Sequence, residues 1–150
     1  MLVASPPVVG VRVQGDQEGA LLAVVAAREL DVYASLVADD TAGVKAAFHS
    51  YLERALRYPA RFRMVFGRWT VEDAELGRAA DRASAALLTA VSGGQRGGEL
   101  PAGDPVALAE LLRATVHGAV ELELGGHLAK GGSQTTPADL LDRLLSLLVR

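Results

Sequence analysis

The amino-acid sequence predicts an all-α fold, a bundle of about six helices, on three observations. Apolar residues recur at i, i+3, i+4 and i+7 in one segment after another. These segments are separated by helix punctuation, with Asp or Thr at starts and Pro or paired Gly at ends. No segment alternates strongly enough for a strand, Val8 to Val13 coming nearest. With 150 residues, half of them apolar, the chain is long enough to bury roughly two thirds of its unfolded surface as one domain. The division expected is an irregular segment over 1–14 followed by one domain over 15–150.

The elements follow in order. Asp16 is placed to cap a first helix running to about Ala38, with Leu21, Leu22, Val25, Leu30, Tyr33, Leu36 and Val37 as its apolar residues. Asp40 or Thr41 opens a second, whose stripe Val44, Phe48, Tyr51, Leu52 and Ala55 ends at Tyr58-Pro59, because a residue before proline is driven out of the helical region. A short helix over Ala60 to Arg68 carries Phe62, Val65 and Phe66. Thr70 with Asp73 three residues on has the form of a capping box and starts a helix to about Val91. The stretch SGGQRGGELPAG, with five glycines, reads as a flexible loop. Asp104-Pro105 is an N-cap followed by proline at the first helical position, and it opens a long helix to Lys130 that Gly131-Gly132 stops. Thr136-Pro137-Ala138-Asp139 is a second capped start, followed by Leu140, Leu141, Leu144, Leu145 and Leu148 on one face.

The long helix has two apolar stripes. Leu108, Leu112, Thr115, Ala119 and Leu122 form one, and Val106, Ala109, Val116, Val120 and Leu124 form the other. A surface helix needs only one, so this helix is expected to lie between its own core and a second body. The leucine face of the last helix is also broad. The two together are expected to form a four-helix interface with a symmetry mate, through Leu108, Leu112, Thr115, Ala119, Leu122, Leu140, Leu141, Leu144, Leu145 and Leu148. Simple filling of a monomer core is the alternative. Within this helix sits Gly118, where a mid-helix glycine costs about 1 kcal/mol against alanine.

Composition excludes several functions. There is no cysteine, so neither a disulfide framework nor a thiolate zinc site is possible. A net charge of −3 offers no basic face to nucleic acid. The longest apolar run, Ala20 to Ala27, falls far short of the roughly twenty residues of a membrane span, and the first twelve residues have no signal-peptide pattern. The expected location is the cytoplasm. His117 with Glu121, and Glu123 with His127, are spaced to touch on a helix, and His49 is a conceivable third group. As metal sites these are incomplete, and they read instead as a satisfied buried histidine and a solvated ion pair. The Arg-rich middle, with Glu53 placed to pair with Arg57, reads as a solvated face. The glycine loop lacks the Lys-Ser/Thr ending of a phosphate-binding loop. No nucleophile–base constellation marks an enzyme, and no metal or cofactor is expected.

Several of these segments, in this order and spacing, carry a resemblance covering about residues 11–150. VHGAVELELGGHL, preceded by ELPAGDP, resembles the penultimate helix of the ligand-binding domain of TetR-family transcriptional regulators, specifically the subgroup with a Trp-His-Gly motif. His117-Gly118 matches the end of that motif, and Arg113 stands where the tryptophan would be. Tyr58-Pro59 with Phe62 to Phe66 is similar to the family's "HP..FR.MF" segment. GDQEGALLAVVAARELD is similar to the helix after the DNA-binding unit. The resemblance implies an effector-binding and dimerisation domain without the family's helix-turn-helix, and so without direct nucleic-acid contact of its own. Its partners would be a second copy and a small apolar effector. It implies a pocket drawn from Phe48, Tyr51, Phe62, Phe66, Trp69, Leu87, Arg113, His117 and Glu121. The alternative is a structural module that dimerises with a full-length regulator and binds no ligand; it predicts a filled interior.

Overall fold

The structure, a computed structural model, describes residues 10–39, 42–69 and 72–149. It consists of α1 (Gly10–Ala38), α2 (Gly43–Arg57), α3 (Pro59–Phe66), α4 (Ala74–Arg96), α5 (Pro105–Leu124) and α6 (Pro137–Leu148), with no strand among the described residues. A single 3-10 turn, Lys130–Gly132, lies between α5 and α6. The all-α expectation holds. The strand candidate is overturned in part: its residues from Gly10 on belong to α1, while 8 and 9 fall outside the described residues.

Helix α2 is the axis of the bundle, packing on every other helix, while α1 lies chiefly along α4 and α6 packs on α5 and α2. Two apolar cores result. The larger joins Tyr33 and Val37 to α2, α4, α5 and α6, with Phe48, Leu52, Leu112, Val116, Val120 and Leu141 fully enclosed. The smaller holds Ala23, Ala26, Ala27 and Leu30 of α1 against Val65, Leu76 and Ala79. Alanines rather than the expected Leu21, Leu22 and Val25 face inward here, and those three are exposed. Small side chains let α1 and α4 approach closely, so volume outranks hydrophobicity in choosing this face.

Local chemistry sets most helix ends. The Asp104 carboxylate accepts from the Val106 N–H and caps α5. Thr136 and Asp139 cap each other's backbone at the start of α6, which holds the Asp139 carboxyl below its ordinary pKa. Several expected boundaries move. Asp16 lies inside α1 rather than at its start, since the helix begins at Gly10. Helix α3 starts at Pro59 and stops at Phe66. Asp73 is itself the N-cap of α4, accepting from the Leu76 N–H at 2.8 Å, and its supposed partner Thr70 falls outside the described residues, as do Asp40 and Thr41. Helix α5 stops at Leu124, six residues short of Lys130. Gly126 there takes a left-handed φ of 67°, and the His127 and Gly126 N–H groups reach back to the Leu122 and Glu123 carbonyls. That hydrogen-bond pattern closes a helix end wherever a glycine permits it, and Gly125-Gly126 arrives before Gly131-Gly132.

Helix α4 likewise runs past Val91, through Gly93-Gly94, to Arg96. A Cβ on Gly94 would sit 2.8 Å from Val44 Cγ1, so the glycine serves the close crossing of α2 and α4 rather than a loop. Beyond it, Leu100 is buried in the larger core and pins the segment expected to be free.

Candidate ligand-binding site

A cavity of about 380 Å³ lies at the seam between the two cores. Leu30, Val65 and Leu76 of the smaller core form one wall, and Tyr33, Val37, Tyr51, Leu87 and Ala109 of the larger form the other. Its volume is at the lower end of the roughly 300–1,000 Å³ common for small-molecule sites. The lining is mostly apolar.

Helix α3 and the segment after it shape one end. The Trp69 indole N–H donates to the Val65 carbonyl at 3.1 Å, satisfying an end group of α3 and fixing the ring as a wall. Phe66 reaches both cores, with its ring 5.5 Å from Tyr33 and 4.4 Å from His117. At the far side, Glu110 and Arg113, one turn apart on α5, are ion-paired and both line the cavity.

Behind the wall stands a polar couple. The Tyr51 hydroxyl and His117 Nε2 share a hydrogen bond of 2.8 Å. The imidazole is packed among Tyr51, Phe62 and Phe66, at ring separations of 5.8, 4.9 and 4.4 Å. Burial, reinforced by the nearby Arg113 cation, pushes its pKa down to about 4, so His117 is neutral at physiological pH. Burial holds the Tyr51 phenol well above its ordinary range, and Tyr33 is raised by burial and by the Glu29 carboxylate. Both phenols keep their protons. The Tyr33 and Tyr51 rings pack 4.5 Å apart, yet the Tyr33 hydroxyl is buried without any hydrogen-bond partner.

Of the nine pocket residues expected from sequence, Tyr51, Phe66, Trp69, Leu87 and Arg113 line the cavity. Phe48 and Phe62 belong to the larger core and do not. His117 does not line it either, but is hydrogen-bonded to Tyr51, which does. Glu121 is exposed, bound to Arg63 at 3.1 Å, and does not touch His117 as its spacing suggested. The other spacings resolve differently too. His127 pairs with Lys130 rather than Glu123, and His49 binds Asp142 at 2.8 Å across α2 and α6. No three potential metal ligands gather among the described residues.

Two residues escaped the sequence reading. Tyr33 counted only as an apolar member of α1. Glu29 is 4% exposed, and Arg54 grips its two carboxylate oxygens through Nε and Nη2, one edge of the guanidinium, at 2.7 and 2.8 Å while Arg61 stands 3.7 Å away. The Arg-rich middle is therefore partly a buried clamp rather than a solvated face, and no ion pair joins Glu53 to Arg57, whose guanidinium lies over the Tyr58 ring. The clue was available: Glu29 falls three residues after Ala26 and four before Tyr33, on the inward stripe.

The ten residues expected at a dimer interface divide. Leu112 and Leu141, 0% and 1% exposed, are enclosed by the chain itself, and Leu108, Ala119 and Leu145 are also buried. Thr115, Leu140, Leu144 and Leu148 are half-buried and Leu122 is exposed. Leu111 and Leu147, not among the ten, are exposed beside them.

Residues 44–148, from α2 to the end of α6, match the family described as tetracyclin repressor-like, C-terminal domain. The chain belongs to that family. TetR-like C-terminal domains bind small-molecule effectors and dimerise, and the family is regulatory rather than enzymatic. A solved structure, that of a protein with unknown function from Rhodococcus sp. RHA1, shares the fold: TM-score 0.67 and 19% identity, over 88% of this chain and 71% of that one. No curated protein matches. In this TetR-like domain, α1 lies outside the matched residues yet supplies Leu30, Tyr33 and Val37 to the cavity. No helix of the described residues is long and apolar enough to cross a membrane.

Proposed function

We propose that this chain is the effector-sensing and dimerisation part of a transcriptional regulator, and that its effector is a small, largely apolar molecule held in the seam cavity. The cavity carries this reading. A module that only dimerises needs no mostly apolar pocket of about 380 Å³ between its two cores, whereas a small-molecule site does. The dimer face we assign is the outward side of α5 and α6, through Leu111, Thr115, Gly118, Leu122, Leu144 and Leu147. Gly118 supports this face. It is exposed, and a Cβ added there would meet nothing within 4 Å, so nothing inside the protomer requires glycine. A partner helix crossing closely at that point would.

Trp69, the chain's only tryptophan, lines the cavity and reports on it. N-phenyl-1-naphthylamine, a neutral apolar fluorophore, is expected to bind with energy transfer from Trp69, in a protein that sediments as a dimer. Ala83→Phe, which fills the cavity from α4, is expected to weaken that binding at least about tenfold, the equivalent of 1.4 kcal/mol. Unchanged binding in the filled variant would place the fluorophore elsewhere and count against the proposal.

A further inference from the structure

We infer that the effector is an amphiphilic anion, an apolar body carrying one carboxylate, and that Arg113 binds the carboxylate at the mouth of the seam cavity. The inference rests on the sensing role proposed above and names the ligand class. The depth of the cavity leaves no polar group for a ligand. The Trp69 N–H is committed to the Val65 carbonyl, the Tyr51 hydroxyl is turned to His117, and the Tyr33 hydroxyl is enclosed by the fold. Around them Leu30, Val65, Leu76 and Leu87 are buried and take the apolar body. The exposed members of the lining are Ala80, Ser84 and Ala85 of α4 and Val106 and Glu110 of α5, so the cavity opens to solvent between those two helices. A polar head group is therefore met at that opening.

Two charged residues line the cavity, Glu110 and Arg113, and although they are ion-paired they are not equivalent. Arg113 is the more buried, its side chain 42% exposed against 57% for Glu110. Its cation also reaches the deep wall. Beside the dominant effect of burial, it lowers the pKa of both Tyr51 and His117, while Glu110 opposes it at His117 alone. An anion whose body fills the cavity thus meets Arg113 on the apolar side, where attraction is least screened, and faces Glu110 only towards solvent. The pair itself is a poor competitor. It is an exposed contact between neighbouring turns, a kind that contributes little, and it uses only Nη2 of the guanidinium. The other N–H donors of Arg113 have no partner among the described residues, and their planar fork fits the two oxygens of a carboxylate. A cationic head seeking Glu110 would have the Arg113 cation on its inner side. The mouth therefore selects a negative head group.

Calorimetric titration of the full chain at neutral pH with 4-butylbenzoate, 4-butylbenzamide and 4-butylbenzylamine, one body with three heads, reads the sign. The benzoate is expected to bind about tenfold more tightly than the neutral amide, as one charge-assisted pairing provides. The amine is expected to bind most weakly. Arg113→Gln is expected to cut the preference for the benzoate to about threefold or less, with amide binding and the helical circular dichroism unchanged. Glu110→Gln, which frees the guanidinium, is expected to bind the benzoate at least as tightly as the parent. Equal binding of benzoate and amide, a preference for the amine, an undiminished preference in Arg113→Gln, or weaker benzoate binding in Glu110→Gln would each overturn the inference and leave the sensing role standing. If none of the three binds while N-phenyl-1-naphthylamine does, the head-group inference again falls alone. If that fluorophore also stays out, the sensing role falls with it.

Discussion

Glu29–Arg54 and Tyr51–His117 are both polar couples buried between helices of one bundle, and they are finished differently. In the first, both carboxylate oxygens are engaged by one edge of a guanidinium, through Nε and Nη2, with Arg61 close by. That couple ties α1 to α2. The second consists of a single hydrogen bond between neutral groups, beside a phenol that has no partner at all. The saturated couple is scaffold, whereas the unsaturated one stands behind the wall of the cavity on which the proposed sensing role rests.

The largest expected effect comes from breaking the saturated couple. Glu29→Ala leaves the Arg54 guanidinium, one fifth exposed, without its anion, and is expected to cost about 3 kcal/mol in urea unfolding. Replacing Glu29 and Arg54 together by methionine is expected to recover most of that loss, since an apolar pair of similar volume needs no compensation. A loss below about 1 kcal/mol for the single variant would remove the distinction between the two couples.

A smaller effect is expected at His117, and its sign follows from the direction of its shift. The folded imidazole titrates at about 4, below the ordinary 6.5 of the unfolded chain. Between those values the unfolded chain binds the additional proton and the folded one does not. Stability is therefore complete above pH 6.5 and declines as pH falls towards 4, by about 2 to 3 kcal/mol. His117→Gln should lack this component. Urea unfolding of both proteins at pH 7.5, 5.5 and 4.5 checks it: the stability difference between them should change steadily across the series, and a constant difference would show that His117 is not held neutral by burial.

How much of this was legible in the sequence depends on the range of the interactions involved. The caps at Asp104 and at Thr136–Asp139 could be read because they use neighbouring residues alone. The end of α4 could not. Gly93-Gly94 has the local form of a stop, and only the crossing against Val44 shows why a glycine stands inside a helix. The same division runs through the site. Tyr51, Phe66, Trp69 and Arg113 were among the pocket residues that the family resemblance implied, whereas the partner of His117 lies 66 residues away on another helix. The spacing to Glu121 pointed to the wrong neighbour, because Arg63 on α3 takes that carboxylate. Tyr33 could be expected to be buried, but that its hydroxyl is left over is a property of the packed bundle alone.

One nitrogen-15 NMR titration of the full chain with N-phenyl-1-naphthylamine reads both couples at once. The His117 ring nitrogens are expected to shift on saturation, because Tyr51 and Phe66 line the cavity and pack on the imidazole, while the Arg54 Nε–H signal stays in place. A shifted Arg54 signal with an unmoved His117 would contradict the assignment of scaffold and site.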